Sequence, residues 1–211
     1  MLALRTTLLQ SLTPLLWTLM APAFAEELAP DALVKGVTAE VIAALRQDPA
    51  LQAGDGRKIA ELVEAKVVPH FDFTRATQIA VGPGWRRATP QQQEQLAREF
   101  KTLVIRTYSG ALAGYRDQVI EFRPLRMQPG DTEATVRSVI KQAGAEPVVI
   151  EYDMEKSGTS WKVFDIRVAG ISLVATYRSA FAEELRNRGI DGLIELLASK
   201  NRQNARTAAK G

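Results

Sequence analysis

Residues 133–168 read EATVRSVIKQAGAEPVVIEYDMEKSGTSWKVFDIRV, and their period is two. Ala134, Val136, Ser138 and Ile140 alternate with Thr135, Arg137, Val139 and Lys141, and a turn follows around Gly144. Val148, Ile150, Tyr152 and Met154 then alternate with the more acidic set Val149, Glu151, Asp153 and Glu155. After SGTS come Trp161, Val163, Asp165 and Arg167 against Lys162, Phe164, Ile166 and Val168. Successive side chains of a strand point to opposite faces, so these are strands with one buried face, joined by polar turns. Upstream, Ile120 and Phe122 alternate with Glu121 and Arg123 before the turn signal QPGD at 128–131. Four such strands in succession predict an antiparallel meander.

On either side of the meander the period is helical. Leu33, Val34, Val37, Val41, Ile42 and Leu45 recur at three- and four-residue spacing from Pro30 to about Gln47, which predicts a helix with one buried face. A second helix spans about Arg57 to Val68 and is stopped by Pro69; Asp72 caps a third that runs to Val81, where Gly82, Pro83 and Gly84 break the chain. Thr89, Pro90 and Gln92 supply a capping hydroxyl, a proline at the first helical position and an amide three residues on. The long helix they start is predicted to reach about Tyr115. Past Gly170, a helix from about Ser172 to Arg188 ends at Gly189, and a short one begins near Asp191. Helices, then one antiparallel sheet, then helices is the order of a single α+β domain with one sheet face covered.

The chain has 211 residues, 46% hydrophobic and 24% charged, which describes a globular protein. It has no cysteine and one histidine, so disulfide frameworks, thiol nucleophiles and His-rich metal sites are excluded. Residues 1–25 carry Arg5, an apolar run from Leu8 to Met20 and the small-residue site Ala23–Phe24–Ala25, the layout of a signal peptide cleaved after Ala25. The expected organisation is therefore a signal peptide at 1–25, an α+β domain at 26–199 and a basic, disordered tail at 200–211. Without Arg5 and the tail's Lys200, Arg202, Arg206 and Lys210, 22 basic residues face 24 acidic ones, so the formal +3 is no nucleic-acid stripe.

Catalytic constellations are scarce. His70 is the lone imidazole, there is no glycine-flanked serine elbow, and VGPGW lacks the Lys and Ser/Thr of a phosphate loop. Apolar and aromatic residues are abundant on facing elements instead. Phe100, Val104, Tyr108, Ile150, Tyr152, Phe164, Ile166, Val168, Val174 and Tyr177 are candidates for the space between the long helix, the sheet and the C-terminal helix. An ordinary core and a ligand pocket both satisfy that pattern, because periodicity does not show a gap.

The wording of two segments goes further than their period. DFTRATQIAVGPGWRRATPQQQEQLAREFKTLVIRTYSGALAGY (72–115) and WKVFDIRVAGISLVATYRSAFAEELRNRGIDGLIELL (161–197) resemble the MlaC family, the toluene-tolerance or ABC-transporter auxiliary proteins. Most of the specificity lies in G-x-x-W-x-x-A-T-P-x-Q at Gly82–Gln92, W-K-V-F-D-x-x-x-x-G-x-S-L-V at Trp161–Val174 and G-x-D-G-L-I at Gly189–Ile194. The likeness extends from about Asp31 to about Asn201 and leaves the basic tail outside the family pattern.

The resemblance implies a cystatin-like or nuclear-transport-factor-like sheet with helices enclosing an apolar pocket. It implies a monomeric periplasmic phospholipid carrier that is not an enzyme and has no cofactor or metal; its ligand is a bound diacyl phospholipid whose headgroup stays near the opening. The implied partners are an outer-membrane lipoprotein–porin complex and an inner-membrane ABC transporter with its lipid-binding substrate domain. A related branch occurs with hopanoid synthesis, so a hopanoid is an alternative cargo. An enzyme of the same fold with Asp165 or Asp72 as base, and a protein-binding adaptor, are the competing readings.

Overall fold

The computed structural model of the protein describes residues 28–208, so the expected signal peptide lies outside the described residues. Among the described residues the chain begins with α1 (Pro30–Gln47), α2 (Pro49–Gln52) and α3 (Gly56–Lys66). A 3-10 turn (Val68–His70), α4 (Phe73–Val81) and a second 3-10 turn (Gly82–Arg87) lead to α5 (Pro90–Tyr108) and α6 (Gly110–Ala113). Carboxylates and hydroxyls set the starts, because the first turn of a helix leaves N–H groups unpaired. Asp48 accepts from the Ala50 N–H at 2.8 Å and so both stops α1 and opens α2; Asp55 accepts from the Arg57 and Lys58 N–H groups, and Asp72 from Arg75 N–H. Thr89 and Gln92 form the reciprocal capping box read from the sequence, at 3.2 and 3.0 Å.

The long helix ends at Tyr108, a turn and more before the expected Tyr115. The Thr102 and Thr107 hydroxyls donate back to the carbonyls of Arg98 and Leu103, bonds of a kind that loosen and bend a helix, and Ser109–Gly110 then breaks it. The short α6 that follows turns the chain toward the sheet.

Among the described residues the sheet has five strands in the order β1-β2-β3-β4-β5, each antiparallel to the next: β1 (Val119–Phe122), β2 (Glu133–Lys141), β3 (Val148–Ser157), β4 (Ser160–Val168) and β5 (Ile171–Ser172). The predicted four-stranded meander is therefore present, with one two-residue strand added. Ala169 and Gly170 both take positive φ, 50° and 80°, which folds Ile171 and Ser172 back onto Val168 and Arg167. Ser172 was expected to open a helix; the helix is instead delayed to a 3-10 turn (Ala175–Tyr177) and α7 (Arg178–Ala208).

Register along β3 and β4 slips by one. Tyr152 faces Ile166 and Asp153 faces Asp165, but Met154 faces Val163, which leaves Phe164 as the extra residue of a β-bulge. Strict alternation, as read from the sequence, puts Val163 and Ile166 on opposite faces. The bulge returns both to the helix-covered face.

Three apolar clusters hold the layers together. Phe100, Trp85, Phe181, Leu193 and Leu197 join α5 to α7 and the 3-10 turn at Gly82–Arg87. Val34, Val136, Met154, Trp161 and Val163 join α1 to the sheet, while Val41, Leu45, Leu51 and Ile59 bind α1, α2 and α3. Gly84 permits the first of these packings, since a Cβ there would come within 2.6 Å of Leu185 Cδ1. Gly189, at φ 68° and ψ −165°, kinks α7 where the sequence placed the end of one helix and the start of another.

The second half of α7 runs through residue 208, although the chain from 200 was expected to be disordered. Asn201 explains the continuation. It is 5% exposed and its side-chain amide donates to the Glu99 carbonyl at 2.9 Å and to the Glu99 carboxylate at 2.8 Å, tying the segment to α5. Among the described residues no helix is long and apolar enough to cross a membrane.

Candidate functional site

Between the helices and the inner face of the sheet the clusters do not close, and a cavity of about 500 Å³ remains. Pockets that bury small or chain-like ligands span roughly 300–1,000 Å³. One wall is α1, which contributes Leu33, Val37, Val41, Ile42 and Leu45 from its three- and four-residue spacing. The facing wall is Val104, Ile105 and Tyr108 of α5 with Ala111 and Leu112 of α6. Ile120, Ile140, Tyr152, Met154, Val163 and Ile166 form the floor, one or two from each of the first four strands. Val63 of α3 and Val67 just after it, with Phe71 and Phe73, complete the lining.

Of the ten residues singled out in the sequence, Val104, Tyr108, Tyr152 and Ile166 line this cavity. The others do not. Phe100 is one turn before Val104 on the same side of α5, but α7 covers that turn: Phe100 is fully buried, with Tyr177 edge-on at 5.0 Å and Phe181 at 5.5 Å. Val174 and Tyr177 belong to the same helical core. Ile150 and Val168 pair with each other across β3 and β4 without lining the space. Phe164, displaced by the bulge, lies on the opposite face of the sheet, where the Arg75 guanidinium stands 3.7 Å from its ring centroid.

Sequence reasoning missed the α1 wall by taking it as core. A signal was present: Leu33 beside Val34, and Val41 beside Ile42, make the apolar stripe wider than one packing seam requires.

Among the described residues no Asp, Glu, Lys or Arg side chain lines the cavity. His70, which does, has its imidazole pKa lowered by burial and then by the neighbouring Lys162 charge, against the opposing pull of Glu40, so it is neutral at neutral pH. Burial pushes the Tyr152 phenol upward, with a nearby Ser138 hydroxyl partly offsetting it. The lining is thus uncharged.

Both carboxylates considered as bases have other work. Asp72 caps α4. Asp165 accepts hydrogen bonds from the Ser172 hydroxyl and from the Val174 N–H at 3.2 Å, fixing the turn into α7; burial raises its pKa, yet it is not part of the cavity wall. Among the described residues no three His, Asp or Glu side chains gather into a metal site.

Comparisons with known proteins agree with this geometry. The family model described as "MlaC protein" matches residues 35–199. The chain is 24% identical over 163 residues to the toluene tolerance protein ttg2D of Pseudomonas putida, covering 77% of this chain and 75% of that one. It is 24% identical over 153 residues to the intermembrane phospholipid transport system binding protein MlaC of Haemophilus influenzae, covering 71% and 68%. A solved structure of the phospholipid-binding protein from Ralstonia solanacearum, in complex with a phospholipid, superposes with a TM-score of 0.76 at 44% identity, covering 83% of this chain and 98% of that one. The family match runs from α1 to the second half of α7 and so takes in every wall of the cavity: the chain belongs to the MlaC family.

Proposed function

We propose that the protein is a periplasmic carrier that holds the acyl chains of one phospholipid in this cavity and moves it between outer-membrane and inner-membrane Mla complexes. The observation that carries the reading is the uncharged, apolar space walled by α1, α5, α6 and the sheet. The phospholipid held by the similar Ralstonia protein supports the choice of cargo. The sequence of residues 1–25 supports export.

Energetics suit a carrier. Two chains of about 14 methylenes each gain roughly 20 kcal/mol on leaving water, at about 0.8 kcal/mol per CH₂. A bilayer offers the same gain, so exchange between bilayer and cavity is close to balanced, and loading and unloading are both accessible. Direction then comes from the partners: a lipoprotein–porin complex on one side and an ABC transporter with its lipid-binding domain on the other. Val104, Tyr108, Tyr152 and Ile166 contact the acyl chains in this reading, together with the α1 wall. In this reading the protein binds its ligand without transforming it.

The test is transfer. Protein loaded with a fluorescent phospholipid and mixed with inner-membrane vesicles containing the transporter is expected to deliver the label to them. Label that stays on the protein under these conditions, with or without ATP, contradicts the carrier reading.

A further inference from the structure

The cavity is not apolar along its whole length. Near α6, where β1 begins and β2 ends, its wall changes to Ser109, Tyr115, Gln118 and Gln142. These groups form a connected set. Gln118 Nε2 donates to Gln142 Oε1 at 3.3 Å, and the Tyr115 hydroxyl donates to the Gln118 carbonyl at 3.3 Å. Two cations attach to the same residue: Arg46 Nη2 donates to the Tyr115 hydroxyl at 3.2 Å, and Arg116 Nη1 donates to the Tyr115 carbonyl at 2.7 Å. Arg116 also donates to the Ala113 carbonyl, and its own N–H donates to Gln118 Oε1 at 2.7 Å. Both arginines are exposed residues whose guanidinium groups are hydrogen-bonded to neutral oxygens, so these contacts do not cancel their charge. The nearby Glu121 is held by Lys141 at 2.7 Å, and Asp117 in the same segment is exposed.

The opposite end has another character. Phe71 and Phe73 stack there at 5.5 Å, and Phe71 packs against the cluster that holds buried Met154 and Val163. His70 at that end is neutral, and its neighbour Glu40 is paired with Lys66 at 2.8 Å.

An apolar cavity with one polar end, and two arginines bonded to the tyrosine of that end just outside the lining, matches a ligand that is hydrocarbon along most of its length and anionic at its tip. Resting on the carrier reading above, we propose that Arg46 and Arg116, positioned by Tyr115 beside Gln118 and Gln142, form an anion subsite for the phosphodiester of the bound lipid. Guanidinium groups suit this task because their paired N–H donors match phosphate oxygens. The subsite reads the phosphate, which all diacyl phospholipids share, and leaves the headgroup alcohol in solvent. One carrier then accepts several headgroups and discriminates against neutral lipids with the same chains.

The test compares phosphatidylglycerol with diacylglycerol of identical chains, bound to purified, delipidated protein. Wild type is expected to bind phosphatidylglycerol at least roughly tenfold more tightly, as a pair of charge-assisted contacts provides. In R46Q/R116Q that ratio falls toward one while diacylglycerol binding is unchanged; R46K/R116K retains most of the preference. Millimolar inorganic phosphate leaves the preference intact, since the phosphate is held as part of a lipid; its abolition by free phosphate would assign the site to a free anion and overturn the proposal. A ratio in R46Q/R116Q equal to that of wild type overturns it too, as does an equal loss for both lipids, which would mean that the arginines act through the fold. Wild type that binds neither lipid contradicts the carrier reading itself.

Discussion

The Arg75 guanidinium lies 3.7 Å from the centroid of the Phe164 ring and reaches Glu133 and Glu155 from the same position. One side chain of α4 therefore closes over the bulged residue of β4 and ties it to the ends of β2 and β3. The Arg75 side chain is 29% exposed, so the contacts are only partly screened. Arg75→Ala is expected to cost about 1–3 kcal/mol of stability, the sum of a lost cation–π contact and two carboxylates left without their partner. Urea unfolding measures this, and a loss below about 0.5 kcal/mol would show that the cluster is surface decoration.

Core and cavity positions on α5 are expected to respond differently. Phe100→Ala removes a fully buried ring and is expected to destabilise by about 3–5 kcal/mol. Val104→Ala, one turn along, at the edge of the same core and lining the cavity, is expected to cost about 1 kcal/mol in delipidated protein, because the removed methyls had few partners on the cavity side. Denaturant midpoints of the two variants compare them directly; similar losses would mean that the cavity closes around Val104.

Alkaline titration reports on the aromatic cluster between α5 and α7. The Tyr177 phenol is pushed up to about 12, first by burial and then by the Tyr108 hydroxyl beside it. Between its ordinary value near 10 and 12 the unfolded chain releases this proton while the folded chain keeps it, so stability falls as pH rises through that window. Tyr152 is shifted in the same direction and adds to the slope. Tyr177→Phe is expected to flatten the decline of the unfolding midpoint above pH 10. An unchanged slope would contradict the assignment.

Asp165 separates a structural carboxylate from a catalytic one. Burial raises its pKa, so the folded state favours its proton and this group's contribution to stability diminishes as pH rises from the ordinary carboxylate range through the raised value. Asp165→Asn keeps an acceptor for the Val174 N–H and removes the buried charge, and is expected to change stability at pH 7 by less than about 1 kcal/mol. Asp165→Ala leaves the Val174 N–H and the Ser172 hydroxyl without it and is expected to cost about 1–3 kcal/mol. Thermal melts give both values. Lipid content is expected to be the same in Asp165→Asn and wild type, whereas a base acting on the ligand would alter what is bound.

Local chemistry made most of the fold legible. The capping box at Thr89–Gln92, the Asp72 cap and the breaks at Gly82 and Gly189 depend on residues close in sequence, and each stands where the pattern places it. The bulge at Phe164 was hidden because a one-residue slip is set by what the two strands face, here Arg75 on one side and the cavity on the other. The extended α7 depends on Asn201 meeting Glu99, a contact across 102 residues that no local pattern encodes. For the cavity, Val104 and Phe100 carry the same signal in sequence; Phe100 is fully buried in the helical core, whereas Val104 packs at its edge and also lines the cavity, a difference set by contacts with distant elements.

Native mass spectrometry of the protein purified without detergent tests the central claim, that this cavity holds one lipid. Wild type is expected to show the mass of the chain plus about one diacyl phospholipid, while Ile166→Asp and Val104→Asp, folded by circular dichroism, are expected to show the chain alone, because a carboxylate in this lining cannot be solvated once acyl chains fill it. Wild type without an adduct, or an adduct that survives both substitutions undiminished, would contradict the account.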